Sequence, residues 1–352
     1  MHLGIPALLA FCGRHGDAES LVLATIIATC GSTYRKTGAM MLISRDGDFE
    51  GLISGGCLEG DLLEHAAGVF ESGEPEFVTY DMSADEDLIW NLGIGCDGVI
   101  HLLLQRLDKT GSLDLFRRIE SSHEARKSVL LAMVTRGNSA LAAGQLASLE
   151  QEGEIRGETL LAPVLEQAAD NWPDWRCNSS QIDAADVLLI HMPPRPRVLI
   201  CGAGPDSVPV TRAFCSLGWE VVVVDHRAAF ARADRFPEDC RVLHLRQVEL
   251  HQKVDLDEVD AAVIMTHHLE SDASYLGQLC EKPLKYLGLL GPTARRDRLK
   301  AMAGCSGQSI YGPVGLDIGA ELPSAIALSI AAEVHAVLNG RDGHPLAEPC
   351  ND

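Results

Sequence analysis

Two glycine-rich turns hold the residues with the greatest chemical reach. The first, SGGCLEGD at 54–61, sets Cys57 just before a helix expected from about Leu58 to Glu71. A helix N-terminus gathers N–H groups and positive partial charge, which lowers a thiol's pKa and attracts anions. Gly55 and Gly56 let the backbone approach a ligand closely, and Glu59 and Asp61 add acceptors in the first helical turn. The chemistry on offer is thiolate, phosphate or soft-metal binding; the competing reading makes Cys57 a small buried residue after a tight turn. The second turn, GAGPDS at 202–207, lies between a strand and a helix, and Asp225 ends the next strand. This is the setting of a dinucleotide fingerprint, with Gly202 and Gly204 in the turn and Asp225 as the acid that closes the next strand. Pro205 has no N–H, Asp206 puts a carboxylate where phosphate would sit, and Ser207 replaces the third glycine. The helix is therefore expected to begin near Ser207, behind a wider loop suited to a different ligand. The alternative is a Rossmann-like domain that binds nothing at this edge.

Four weaker stretches accompany them. GIGCDG (93–98) flanks Cys96 with glycines, and is either a second thiol facing the first across a cleft or a bulged turn. GSTYRKTGA (31–39) sets Arg35 and Lys36 between two strands, as cations for a phosphate or carboxylate or as a solvated hairpin tip. THHLESD (266–272) offers His267 and His268, of which at most one faces a crevice. ARRDRLK (294–300) reads as a solvated helical face.

The elements that position these residues fall into two styles. In the first half, LVLATIIAT (21–29), AMMLIS (39–44), EFVTYD (76–81), VIHLLL (99–104) and SVLLAMVT (128–135) read as strands. Helices are expected at the N-terminus, over 58–71 and around 112–122, with polar loops at 150–158 and 168–183, which makes an α+β domain. MPPRP (192–196) is a stiff linker. Beyond it RVLIC, EVVVVD, CRVLHL, AAVIMT and KYLGLLG alternate with helices, the pattern of a doubly wound parallel sheet covered on both faces. A final helix over 323–338 ends at Gly340 and is free, on sequence alone, to pack back on the first domain. The expected organisation is an α+β domain over 1–192, a Rossmann-like domain over 193–310 and a C-terminal segment over 311–352.

Composition narrows the function classes. With 352 residues, 46% hydrophobic and 22% charged, and no long apolar run, the chain is expected to be globular with no membrane span. Its net charge of −21 repels phosphate backbones, so nucleic acid is a poor partner. The charge is uneven, −16 over 1–194 against −5 over 195–352, which leaves the second half less hostile to an anion. The first residues show no basic n-region or cleavage pattern, so a cytoplasmic protein is expected. Eleven cysteines without a CxxC pair support neither a disulfide framework nor a zinc ribbon, and reduced thiols are expected.

GSTYRKTGAMML, LISGGCLEGDL, LGIGCDG, GAGPDSVPV, VVVVDHR, MTHHLESD, YLGLLGP with ARRDRL, and PVGLDIGAELPSAIALSIAAE, in this order, resemble the XdhC/CoxI maturation factors of molybdenum hydroxylases. The likeness runs over nearly the whole chain. Tyr34 and Thr37 stand where the family usually has prolines, and Asp97 where it has glycine. The resemblance implies a chaperone that binds the molybdenum cofactor, as molybdopterin or its dinucleotide form, protects it, presents it for sulfuration and inserts it. It implies an apo molybdenum hydroxylase and a cysteine desulfurase as partners, and is compatible with a homodimer. Cys57 would meet molybdenum or a persulfide, with Cys96 and His267 as secondary metal candidates. Ser54, Gly55, Gly56, Glu59, Arg35, Lys36, Gly202, Gly204, Asp225 and Arg227 would hold the cofactor, in a cleft between the two domains. The competing classes are an NAD(P)-dependent oxidoreductase using the glycine loop and Asp225, and a redox- or metal-sensing protein using Cys57, Cys96 and a histidine.

Overall fold

A computed structural model describes residues 4–15, 19–82, 98–109, 111–170, 172, 175–305, 307 and 309–346. Cys96 lies outside the described residues. The chain divides into two units, Met1–Pro194 and Arg195–Asp352.

The first unit is built on two antiparallel sheets. Strands β1 (Ser20–Cys30), β2 (Met40–Ile43), β3 (Phe49–Gly51), β4 (Glu76–Asp81) and β5 (Val99–Asp108) form one, in the order β3-β2-β1-β5-β4. Strands β6 (Val129–Arg136), β7 (Leu146–Glu150), β8 (Ile155–Gly157), β9 (Cys177–Ile182) and β10 (Ala185–Met192) form the other, in the order β8-β7-β6-β10-β9. Period-2 alternation sorts β1: Leu21 and Leu23 face a core shared with Leu131, Met133 and Ile190 of the second sheet, while Val22, Ala24 and Ile26 face the other way. Helices α1 (Ile5–Arg14) and α3 (Ser112–Glu124) bury Leu8, Leu9, Phe116 and Ile119 in the shared core. Helix α2 (Glu59–Ser72) covers the outer face of the first sheet with Leu62, Ala66, Val69 and Phe70, and ends where Gly73 turns left-handed at φ 74°. Helix α4 (Ala162–Ala169) covers the second sheet.

The polar loops expected at 150–158 and 168–183 instead contain β8, part of α4, and β9. Both strands are at sheet edges, and β9 reads CNSSQI, so neither carries the apolar alternation that marks a half-buried strand.

The second unit is a parallel sheet of β11 (Arg197–Cys201), β12 (Glu220–Asp225), β13 (Cys240–His244), β14 (Ala261–Ile264) and β15 (Tyr286–Leu289), ordered β13-β12-β11-β14-β15. Helices α5 (Ser207–Ser216) and α9 (Pro323–Leu338) cover one face; α6 (Leu250–Lys253), α7 (Leu269–Leu279) and α8 (Thr293–Ala303) cover the other. The sheet is doubly wound, and strand order reverses between β11 and β14, where such folds open a crevice at the carboxyl ends of their strands. The last helix packs within the second unit. Its buried side chains Ala327, Ile330, Ala331 and Val334 pack with Val210 and Phe214 of α5, in this unit's own core.

The thiols need a second correction. Cys280 and Cys305 are joined as a disulfide, while Cys12, Cys30, Cys57, Cys177, Cys201, Cys215 and Cys240 are free. The two bonded residues follow α7 and α8, which lie side by side, and no CxxC spacing announces the pair.

Candidate functional site

The register of the first sheet brings two of the singled-out stretches, and Gly98 of a third, to one end. Cys30 at the end of β1 pairs with Val99 at the start of β5, and β3 runs in the direction of β1. The loop 31–38, the turn 53–58 and Gly98 therefore lie at the same sheet end. Gly98 is packed too tightly for a side chain: a Cβ would fall 2.5 Å from Ser32 O and 2.8 Å from Cys30 O.

The Cys57 turn is held by two of its own side chains. Glu59, 4% exposed, accepts from the N–H of Ile53 (3.2 Å) and Ser54 (2.8 Å) at Oε1, and from Leu58 N–H (3.2 Å) and Ser54 Oγ at Oε2. Ser54 Oγ in turn accepts from the N–H of Gly56 (3.2 Å), Cys57 (3.0 Å) and Leu58 (3.0 Å). Burial pushes the Glu59 carboxyl upward in pKa, but the bonds from Ser54 and the backbone outweigh it and hold the group below its ordinary range. Ser54 and Glu59, expected as ligand contacts, act as supports of the turn. The N–H groups expected to collect an anion beside Cys57 are in large part taken by them.

The Cys57 thiol stands outside this network. It is free and half-buried, packed at the margin of the core beneath α2. Gly56 holds φ 108°, and a Cβ at Gly55 or at Gly56 would meet no atom within 4 Å, so the approach over the turn is open. Asp61 and His65, one and two helical turns on, join Glu76 and Tyr80 of β4. His65 Nδ1 lies 2.7 Å from Glu76, and Tyr80 donates to Asp61. That group escaped the sequence reading; the i, i+4 spacing of Asp61 and His65 is its signal.

Lys36 is exposed and donates to Thr33 Oγ1 (3.3 Å), and Thr33 Oγ1 donates to Arg35 O (2.8 Å). The loop is thus shaped by Thr33, with the two cations at its outer side.

In the second unit, α5 begins at Ser207, whose hydroxyl donates to Gly204 O (2.8 Å). Gly202, at φ 122°, is obligatory because a Cβ would lie 2.6 Å from Met265 O. Asp225 is fully buried. Its Oδ2 accepts from Ala203 N–H (2.8 Å) and Arg227 Nη2 (2.7 Å), and its Oδ1 from Arg227 N–H (2.9 Å) and Nε (3.0 Å). Burial pushes this carboxyl up as well, yet the Arg227 fork and the two N–H groups hold it below the carboxylate range, and Arg227 is raised in turn. Both oxygens of Asp225, the acid expected near a ribose, are engaged by the glycine loop and by Arg227. The Arg227 guanidinium lies 4.2 Å from the centre of the Phe230 ring.

Asp206, the carboxylate in the phosphate position, faces His267 Nε2 at 2.7 Å, and His267 adopts φ 63° to reach it. His267 is thereby a partner of the loop. His268 is structural; its Nδ1 accepts from Ser271 N–H at the start of α7. No group of three His, Cys, Asp or Glu among the described residues could hold a metal ion. The face of ARRDRLK expected to be solvated is so at Asp297 and Arg298, which are exposed, while two of its arginines are engaged. Arg295 donates to buried Asp272 (2.8 Å), which accepts from Thr266 N–H (3.2 Å), and Arg296 donates to Gly312 O (2.9 Å). Carboxylates placed several residues from their arginines give no local sequence signal.

Known proteins place this arrangement. The family described as "XdhC and CoxI family" matches residues 16–81, and "XdhC Rossmann domain" matches 198–334. The chain is 32% identical over 332 residues to a probable xanthine dehydrogenase subunit of Bacillus subtilis, covering 90% of this chain and 93% of the relative. It is 24% identical to "Molybdenum cofactor insertion chaperone PaoD" of Escherichia coli over 91% of this chain and 84% of the relative. A crystal structure described as a xanthine dehydrogenase from Bacillus halodurans superposes with a TM-score of 0.81 at 32% identity, over 97% of each chain. With two matching family descriptions and a relative at this identity over nearly its full length, the chain belongs to the XdhC/CoxI family.

Proposed function

We propose that the protein is a maturation factor that binds the molybdenum cofactor, protects it, presents it for sulfuration and inserts it into a xanthine dehydrogenase-type molybdenum hydroxylase. Family membership and the chaperone name of one relative support this reading. The observation that carries it is the Cys57 turn: Ser54 and Glu59 satisfy the backbone, and the thiol is left beside two glycines with open space above them. The donor set suits the group. A thiolate is a soft ligand for molybdenum and a nucleophile toward a persulfide, while Arg35 and Lys36 at the same sheet end supply cations for a phosphate. When bound, the cofactor supplies the molybdenum centre; the chain holds, orients and shields it. A cysteine desulfurase as sulfur donor, a cytoplasmic setting and a homodimer belong to the same proposal. The cargo is molybdopterin or its dinucleotide form, and Arg227 is the contact offered to a second phosphate.

The alternative of an NAD(P)-dependent oxidoreductase is disfavoured by the second unit. The acid that would hold the ribose is sealed and saturated, and Asp206 stands in the phosphate position. The test mixes the purified full chain with molybdopterin cofactor and compares retained molybdenum and pterin fluorescence with those of Cys57→Ala. At least tenfold lower retention by the variant is expected; equal retention removes the thiol from this role. Micromolar NAD binding with no pterin affinity would establish the rival.

A further inference from the structure

Helix α8 is weakly anchored for an element at the edge of a functional crevice. Leu299 is its one buried side chain, and the rest of TARRDRLKAMA is polar, small or exposed. Leu299 packs in the core with Leu276 and Leu279 of α7. Two polar contacts fix its start, Arg295 to Asp272 and Arg296 to Gly312 O. Its far end stops at Gly304, φ 70°, and is tied by the covalent bond from Cys305 to Cys280, which directly follows α7.

We propose that Cys280 and Cys305 form a reversible thiol–disulfide exchange site for low-molecular-weight disulfides of the glutathione class, and that this bond decides how firmly α8 holds Arg295 at the carboxyl edge. Three observations converge. The other seven described cysteines are free, so the bond is no part of a disulfide framework. Both bonded residues are only half-buried, which leaves the sulfurs open to attack. Their Cα atoms lie 6.0 Å apart, a spacing two thiols also tolerate, so the site can open without rebuilding the backbone.

The chemistry balances. One thiolate of the pair attacks a sulfur of oxidised glutathione and expels a glutathione thiolate. The second thiol, giving up its proton, attacks the mixed disulfide and expels the other. Two protein thiols and one oxidised glutathione become one protein disulfide and two reduced glutathiones, and excess thiol reverses it. The bond closes a 25-residue separation, and cutting it returns that loop's freedom to a helix with one buried anchor. The effect reaches the crevice because Arg295 pairs with Asp272, and Asp272 holds Thr266 beside His267.

The test uses the full chain in two redox states. After equilibration with oxidised glutathione, alkylation with iodoacetamide should leave Cys280 and Cys305 unlabelled; after dithiothreitol both should label. Amide hydrogen exchange over 293–303 should be on the order of 100-fold faster in the reduced protein, with α5 unchanged as internal reference. Cys305→Ser should show the fast pattern in both states. The proposal is overturned by labelling of both cysteines after oxidised glutathione, by a bond that resists dithiothreitol in the folded protein, or by equal α8 exchange in the two states.

Discussion

The Cys57 turn and the Gly202 loop are built from the same parts and end with opposite chemistry. Each is a glycine-rich link from strand to helix, and in each a buried carboxylate accepts from the loop's own N–H groups. In the first unit the acid is Glu59, inside the following helix, and the closing donors are a hydroxyl and backbone. In the second it is Asp225, from the next strand, and the closing donor is the Arg227 fork. What lies beside each loop differs accordingly: a thiol outside the network in one, an ion-paired guanidinium and a histidine–carboxylate pair in the other. A buried acid in a glycine loop is thus no sign of a ligand contact. The groups left out of the internal network are the informative ones.

The largest effect that would break this symmetry is at Asp225. Asp225→Ala leaves Ala203 N–H without its acceptor and Arg227 without its partner. A loss of about 2–3 kcal/mol in the second unit is expected, because the loop loses a charged acceptor of several bonds while the partly exposed guanidinium returns to water. Urea unfolding followed at Trp219, which stacks on Phe214 in that unit's core, measures it. A loss under about 1 kcal/mol would mean that Arg227 is not held by this acid.

Glu59→Gln comes next, at about 2 kcal/mol in the first unit, because the amide keeps one acceptor but loses the charge that four donors address. Both acids share a pH signature. Each has a folded-state pKa below its unfolded value, so its contribution is full above the ordinary carboxylate range near pH 4 and is lost as pH falls through the depressed folded value. Denaturant midpoints at pH 7 and pH 3 should therefore converge between wild type and Glu59→Gln. Parallel curves would show that the Glu59 charge does not support the turn.

Long, strongly patterned elements were legible in sequence. LVLATIIATC, EVVVVD and the helix over 323–338 stand as strand, strand and helix because apolar period and burial agree. The edge strands β8 and β9 were not, since they are short or polar and face solvent, whereas the edge strand EFVTYD keeps its β-branched and aromatic residues. Within the candidate site, positions were readable but allegiances were not. The spacing placed Glu59 and Asp225 beside glycines; only geometry shows that both point into their own loops. Arg295 reads as solvated because its partner, Asp272, belongs to another helix. Arg35 and Lys36 remain cations at the site's end of the sheet, with Thr33 between them as the shaping residue.

A glycine pair sharpens the first turn at smaller cost. Gly56→Ala forces an L-residue to φ 108° and should lose about 1–2 kcal/mol, whereas Gly55→Ala, with no such φ and open space, should lose less than about 0.5 kcal/mol. Equal losses in thermal or denaturant unfolding would mean that crowding, and not backbone conformation, shapes the turn.

Cys57 itself is also expected to show a small effect on stability, and that smallness is what makes it diagnostic. The thiol is half-buried at the margin of the α2 core and contributes nothing to the bonds among Ser54, Glu59 and the backbone. Cys57→Ser exchanges one small side chain for another, so the midpoint of urea unfolding should shift by less than about 1 kcal/mol equivalent. Serine is close in size, though more polar, and loses the soft, ionisable sulfur, and a hydroxyl does not form a persulfide. Stability and cofactor retention should therefore separate in this one variant, whereas at Glu59 both fall together because the turn itself is disturbed. If Cys57→Ser destabilises the first unit as much as Glu59→Gln does, the thiol is a structural filler of the core margin. The contrast between the two loops would then rest on the second unit alone.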